Sequence, residues 1–219
     1  AVAARTLAPA RTAANMSRLL LAMALPLISA LKYTHLGINS QLWHFRSGTR
    51  VLVDPVLVGD LTFFGVPSLY SARARGATRT EDLEALLDRV CSDGFDALLI
   101  SQTWEDHWHP PTIDALAERG ALRGIDLLAP PATVAKLKPD FGGARVRAID
   151  HGDTAFLGRD VSVRCRPGAL LGPPWARREN AYVVTGGGDG GLYYEPHGEW
   201  GGSLDGEREL VDVLITPMA

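Results

Sequence analysis

Hydrophobic positions in this chain follow two alternating patterns. Short, nearly unbroken apolar runs occur at Arg50–Val53, Phe95–Ile100, Ile125–Ala129 and Val211–Thr216. They have the length and β-branched content of buried strands. Between them lie stretches with helical spacing. Thr80 is placed to cap a helix carrying Leu83, Leu86, Leu87 and Val90 on one face, with Gly94 ending it. Pro110-Pro111 opens a second helix with Ile113, Leu116 and Ala117, closed by Gly120, and Ala132–Leu137 suits a short third. Lys32–Phe45 reads as strand, turn, strand, with Gly37-Ile38-Asn39-Ser40 as the turn. Further strands are expected at Val146–Ile149, Thr154–Leu157, Val161–Cys165, Ala181–Thr185 and Gly191–Glu195. Early hairpins followed by alternating strands and helices predict a mixed α/β sandwich, not a simple Rossmann sheet.

The 219 residues suffice for one domain, expected over 31–219, and a short appendage over 1–30. Hydrophobic (46%) and charged (21%) fractions are those of a globular domain. With a net charge of −3 and no Lys/Arg block, nucleic acid is not an expected partner. Cys91 and Cys165 lie far apart, so neither a disulfide framework nor a cysteine-rich zinc site is expected.

The first segment differs from the rest. No acidic residue precedes Asp54, while Arg5, Arg11 and Arg18 are scattered among Ala, Thr and Ser before the apolar run Leu19–Leu31. This pattern predicts a targeting leader for an organelle, the plastid first, with a mitochondrial or secretory address as the alternative, or else a plain disordered segment. The run contains Pro26 and is short for a stable membrane span.

The stretch richest in chemistry is Ser101-Gln102-Thr103-Trp104-Glu105-Asp106-His107-Trp108-His109. It follows an apolar strand, and strand ends are where α/β proteins place their functional loops. It resembles the metal-binding loop of the metallo-β-lactamase superfamily, Ser/Thr-His-x-His-x-Asp-His. Ser101, Asp106 and His107 match, whereas Gln102 and Trp104 stand in place of the first two histidines. Tyr33–Gly37, the strand ending in Asp54-Pro55, Arg166-Pro167-Gly168-Ala169 and Leu192–His197 fit the same order of segments. Ala169 replaces a ligand histidine, and the chain stops before the family's last ligand, as a fragment would.

The resemblance implies an αββα sandwich of mixed sheets and a divergent metal-dependent hydrolase of a small-molecule ester, lactone, phosphodiester or similar bond. It implies a divalent metal, zinc first and iron or manganese next, with ligands from Asp106, His107, His109, His197 and Glu195. Asp106, His107 and Glu195 are then the catalytic candidates; Asp54 is read either as a support behind them or as no more than a cap to its strand. In Gly172–Asn180, Trp175 and Arg177 are candidates to contact substrate, as is Trp104, although the same loop equally suits a plain crossover. His35, His44 and His151 are read as structural. Gly186–Gly191 lacks a following Gly-Lys-Ser/Thr and is read as a hairpin loop, not a phosphate loop. Two alternatives stand beside the metallohydrolase: an inactive binding protein on the same fold, and a metal-free hydrolase with His107 as general base.

Overall fold

The structure, a computed structural model, describes residues 31–73, 80–137, 141–198 and 211–216. The expected leader over 1–30 and part of the loop before the first helix lie outside the described residues. Six strands form the first sheet, in chain order: β1 (Lys32–Gly37), β2 (Ser40–His44), β3 (Arg50–Val53), β4 (Ala97–Leu99), β5 (Asp126–Ala129) and β6 (Arg145–Ala148). β1 to β3 pair antiparallel, and β3 to β6 pair parallel. The second sheet has the order β11-β10-β9-β8-β7, from β7 (Thr154–Leu157), β8 (Val161–Pro167), β9 (Asn180–Gly186), β10 (Asp189–Tyr194) and β11 (Val213–Ile215). It is antiparallel except where β11 joins β10 in parallel. Helices α1 (Thr80–Asp93), α2 (Pro110–Glu118) and α3 (Pro131–Val134) occur where the helical spacing and prolines predict.

Alternation along each strand sorts the side chains into layers. Leu42, Leu52, Leu98, Ile100, Leu127 and Ala129 face Leu87 and Val90 of α1 and Ile113 and Leu116 of α2. Their neighbours Trp43, Val51, Val53, Ala97, Leu99 and Leu128 meet Val161, Val163, Tyr182, Val184, Leu192 and Tyr194 of the second sheet. The central strands β3, β4 and β5 are thus buried on both faces, which is why they read as nearly continuous apolar runs, while the edge strands β1 and β6 keep exposed positions. On the outer face of the second sheet Val211 packs on Ala181, Val183 and Tyr193. No helix covers that face among the described residues, so helices of the expected αββα order are seen on one side only. Also among the described residues, no helix is long and apolar enough to cross a membrane.

The glycine run is the β9–β10 hairpin, as expected. Gly187 has φ +63°, and a Cβ there would lie 2.6 Å from the Phe45 Cβ. Its amide donates to Asp160 O (3.1 Å) and its carbonyl accepts from Ser47 N (2.7 Å), so the hairpin is seated against the β2–β3 turn. Gly187→Ala is expected to cost about 2 kcal/mol, through the left-handed backbone and the clash together, read as a lower urea midpoint.

Candidate active site

At the C-terminal end of β3 the chain turns at Asp54, a non-glycine residue with φ +45°. The turn aims its carboxylate into the space between the sheets, where it is fully buried. A buried carboxylate needs hydrogen bonds from within the protein. Asp54 Oδ1 accepts from Ser101 N (2.6 Å), and Oδ2 accepts from Ser101 Oγ (2.5 Å) and Tyr194 Oη (2.7 Å). His107 Nδ1 lies 2.8 Å from the same Oδ2. One side chain thereby ties β3, the loop after β4, and β10 together.

The loop itself is a tight turn in which Trp104 O accepts from His107 N (2.9 Å) and Trp108 N (2.6 Å). Trp108 drops into the helix-side core, and His107 is held upright against Asp54. With Nδ1 committed to Asp54, Nε2 of His107 points outward, 3.3 Å from Asp106 Oδ2. Asn39, from the β1–β2 turn, donates to both the backbone O and Oδ2 of Asp106 (3.1 Å each), and its Nδ2 lies 3.2 Å from His107 Nε2. The His197 ring meets His107 edge-on, with centroids 5.2 Å apart. His197 Nδ1 is buried without a hydrogen-bond partner, 4.0 Å from Glu195 Oε1. Glu195, fully buried after β10, accepts from His197 N (3.0 Å) and from Ala169 N (3.4 Å).

Charges follow from these contacts. Burial disfavours a charged His107, but the Asp54 charge and hydrogen bonds to Asp106 and Asp54 outweigh it and raise the imidazole to about 10. Burial alone would raise Asp106, yet its hydrogen bond to His107 and the His107 charge hold it below the ordinary carboxylate range. Burial and the neighbouring His107 charge keep His197 below the ordinary histidine range.

The expected five-ligand metal set is not brought together. His109 is buried at the start of α2, where Nδ1 lies 2.9 Å from Thr112 Oγ1; that hydroxyl also accepts from Leu57 N (2.8 Å). It serves the helix start, and burial lowers its pKa. Among the described residues, no group of three or more His, Cys, Asp or Glu side chains is placed to hold an ion. What remains is a pair. Asp106 Oδ2 and His107 Nε2 are close enough to share one ion, and Asp54 fixes the imidazole from behind as carboxylates do for metal-bound histidines. An ion there would have to displace the Nε2 proton.

The positions of the missing histidines have other tasks. Gln102, fully buried, donates from Nε2 to Asn180 O (2.6 Å) and accepts from Asn180 N (3.3 Å), pairing the loop with the start of β9. Trp104 is half exposed and lines a cleft of about 530 Å³ with Phe63, Phe64, Glu105, Lys136 and Arg177. Arg177 also pairs with Asp150 and donates to Asn180 Oδ1 (3.2 Å). Trp175 does not join this wall; it stands 86% exposed. His35 and His151 bond to the backbone carbonyls of Ile38 (3.0 Å) and Glu179 (3.1 Å). Asn39 was read only as a turn residue, and its role over the Asp106–His107 pair has no local signal in the sequence.

The profile of the beta-lactamase superfamily domain matches residues 32–219, and the chain belongs to that family. No curated protein matches it. Among solved structures it is similar to one described as a possible metal-dependent hydrolase from Veillonella parvula (17% identity, TM-score 0.58, covering 85% of this chain and 71% of that one). It is also similar to the metallo-beta-lactamase fold protein YhfI from Bacillus subtilis (15%, TM-score 0.54, 85% and 70%). A third is the isothiocyanate hydrolase from Delia radicum gut bacteria (15%, TM-score 0.53, 83% and 69%). At such identities the likeness speaks for the fold.

The raised pKa of His107 gives stability a defined pH dependence. Below about pH 6.5 the imidazole is protonated folded and unfolded, and its contribution is complete; as pH climbs towards about 10 the unfolded chain loses that proton first, so the contribution shrinks. Urea midpoints are expected to fall over this interval, and Asp54→Asn, which removes the raising charge, is expected to flatten the slope.

Proposed function

We propose that this chain is a divergent hydrolase of the superfamily, acting on a small molecule at the ends of β3, β4 and β10. The observation that carries the reading is the Asp54–His107–Asp106 array, with one imidazole nitrogen anchored and the other turned towards a carboxylate that is 25% exposed. In this reading Asp106 and His107 hold a divalent metal, zinc first and iron or manganese next. His197, whose Nδ1 lacks a partner, stands nearest as a further ligand. The cation supplies electrostatic stabilisation of developing negative charge on an ester, lactone or phosphodiester oxygen. In the metal-free alternative the partly exposed carboxylate of Asp106 would instead be the group to take a proton from water; Glu195 is buried and fixes His197 through its backbone. Trp104 and Arg177 face the substrate.

The second reading is a binding protein without catalysis. It is favoured by one feature: Gln102 and Trp104 replace two ligands, and Gln102 is spent on Asn180. Plastid delivery by residues 1–30 remains part of the proposal, and a fusion of that segment to a fluorescent protein reports the address.

Metal content of the full chain separates the two readings. About one zinc, iron or manganese per chain is expected, lost in Asp106→Ala with the circular dichroism unchanged, together with chelator-sensitive turnover in a panel of esters, lactones and phosphodiesters. Folded protein that takes up none of these metals and turns over no substrate would leave the binding reading. Turnover indifferent to chelators but abolished by Asp106→Ala would point to metal-free catalysis. His107→Ala is the poorer probe. It leaves the buried Asp54 charge unpaired and is expected to cost roughly 3–5 kcal/mol of stability.

A further inference from the structure

Phe64 combines features that packing alone does not explain. Its φ is +56°, a conformation rare for a bulky side chain, and its ring is 73% exposed. Strain of this kind persists only where neighbouring structure holds it. Here the Glu105 carboxylate of the active-site loop accepts a hydrogen bond from Phe64 N (2.7 Å). Phe63 packs at 5.2 Å on Tyr70, and the base of the segment is closed by paired hydrogen bonds between Leu61 and Ala72 (2.8 and 3.0 Å). The result is a flap that presents Phe63 and Phe64 to the same cleft as Trp104. The charged groups around the cleft, Glu105 and Glu179 against Lys136 and Arg177, balance in sign. What sets this cleft apart is therefore its aromatic wall.

We propose that the cleft receives a flat aromatic group of the ligand between Phe64 and Trp104, and that Glu105 is a positioning residue that fixes Phe64 at the cleft for it. This deepens the proposed function by naming a substrate class, but the binding step stands whether or not hydrolysis follows. The cleft volume of about 530 Å³ suits one or two fused rings with a reacting arm. Flat rings stack on aromatic side chains more favourably than saturated rings of the same carbon count.

The test uses the full chain and two probes, 2-naphthol and its saturated counterpart decahydro-2-naphthol, with affinities from calorimetry. Tighter binding of 2-naphthol, by about tenfold, is expected. Phe64→Ala and Trp104→Ala are each expected to remove most of that preference. Glu105→Gln, which weakens the acceptor for Phe64 N, is expected to reduce the preference less. Phe156→Ala, a distant exposed aromatic on β7, serves as control and is expected to leave it intact. Phe64→Gly relieves the backbone and removes the ring. It is expected to raise the thermal midpoint while losing 2-naphthol binding, which separates a site from a folding defect. Equal affinity for the two probes, or a preference untouched by Phe64→Ala and Trp104→Ala, would overturn the proposal. A parallel assay with 2-naphthyl acetate addresses hydrolysis alone: binding without cleavage there leaves the aromatic site standing and counts against the hydrolase reading for this ester.

Discussion

A buried carboxylate organises this protein. Asp54 lies where the two sheets meet, without access to water, and is held by a backbone amide, a serine hydroxyl, a tyrosine hydroxyl and an imidazole. Such a group is tolerable only when every partner is in place. Three of these four contacts come from the loop after β4 and the fourth from β10, so satisfying Asp54 fixes that loop against β3 and β10 together. The left-handed turn at Asp54 is a local expense that this satisfaction offsets.

From that anchor the site is assembled outward. His107 is oriented by Asp54, Asp106 by Asn39 and His107, and His197 by Glu195 beneath it. The gradient runs from fully buried at Asp54, His107 and Glu195 to 25% exposed at the Asp106 side chain and half exposed at Trp104. The supports thus stay dry while the Asp106 carboxylate keeps contact with solvent. Such a division keeps the geometry of the array rigid.

Much of the fold could be read from periodicity. The central strands β3 to β5 of the first sheet are apolar on both sides because helices cover one face and a second sheet the other, and the run lengths reported this. The loop from Ser101 to His109 announced itself by composition. Less legible was what each polar residue there would do. His109 carries the same side chain as His107 two positions earlier, yet a turn sends it to the start of a helix and to Thr112. Asn39 reaches Asp106 from 67 positions away, a contact that depends on two elements meeting in space. The exposure of Trp175 and the backbone of Phe64 likewise have no period to betray them.

The amide of Gln102 constrains what else its position can hold. It pairs with both backbone groups of Asn180 and so supplies two rungs of a ladder that the loop would otherwise lack. An imidazole at this position offers a different reach and a different angle for donor and acceptor. A lone histidine placed here would therefore deprive the buried Asn180 backbone of its partner before any ion was held, so a metal ligand cannot be added at this position without giving up part of the scaffold.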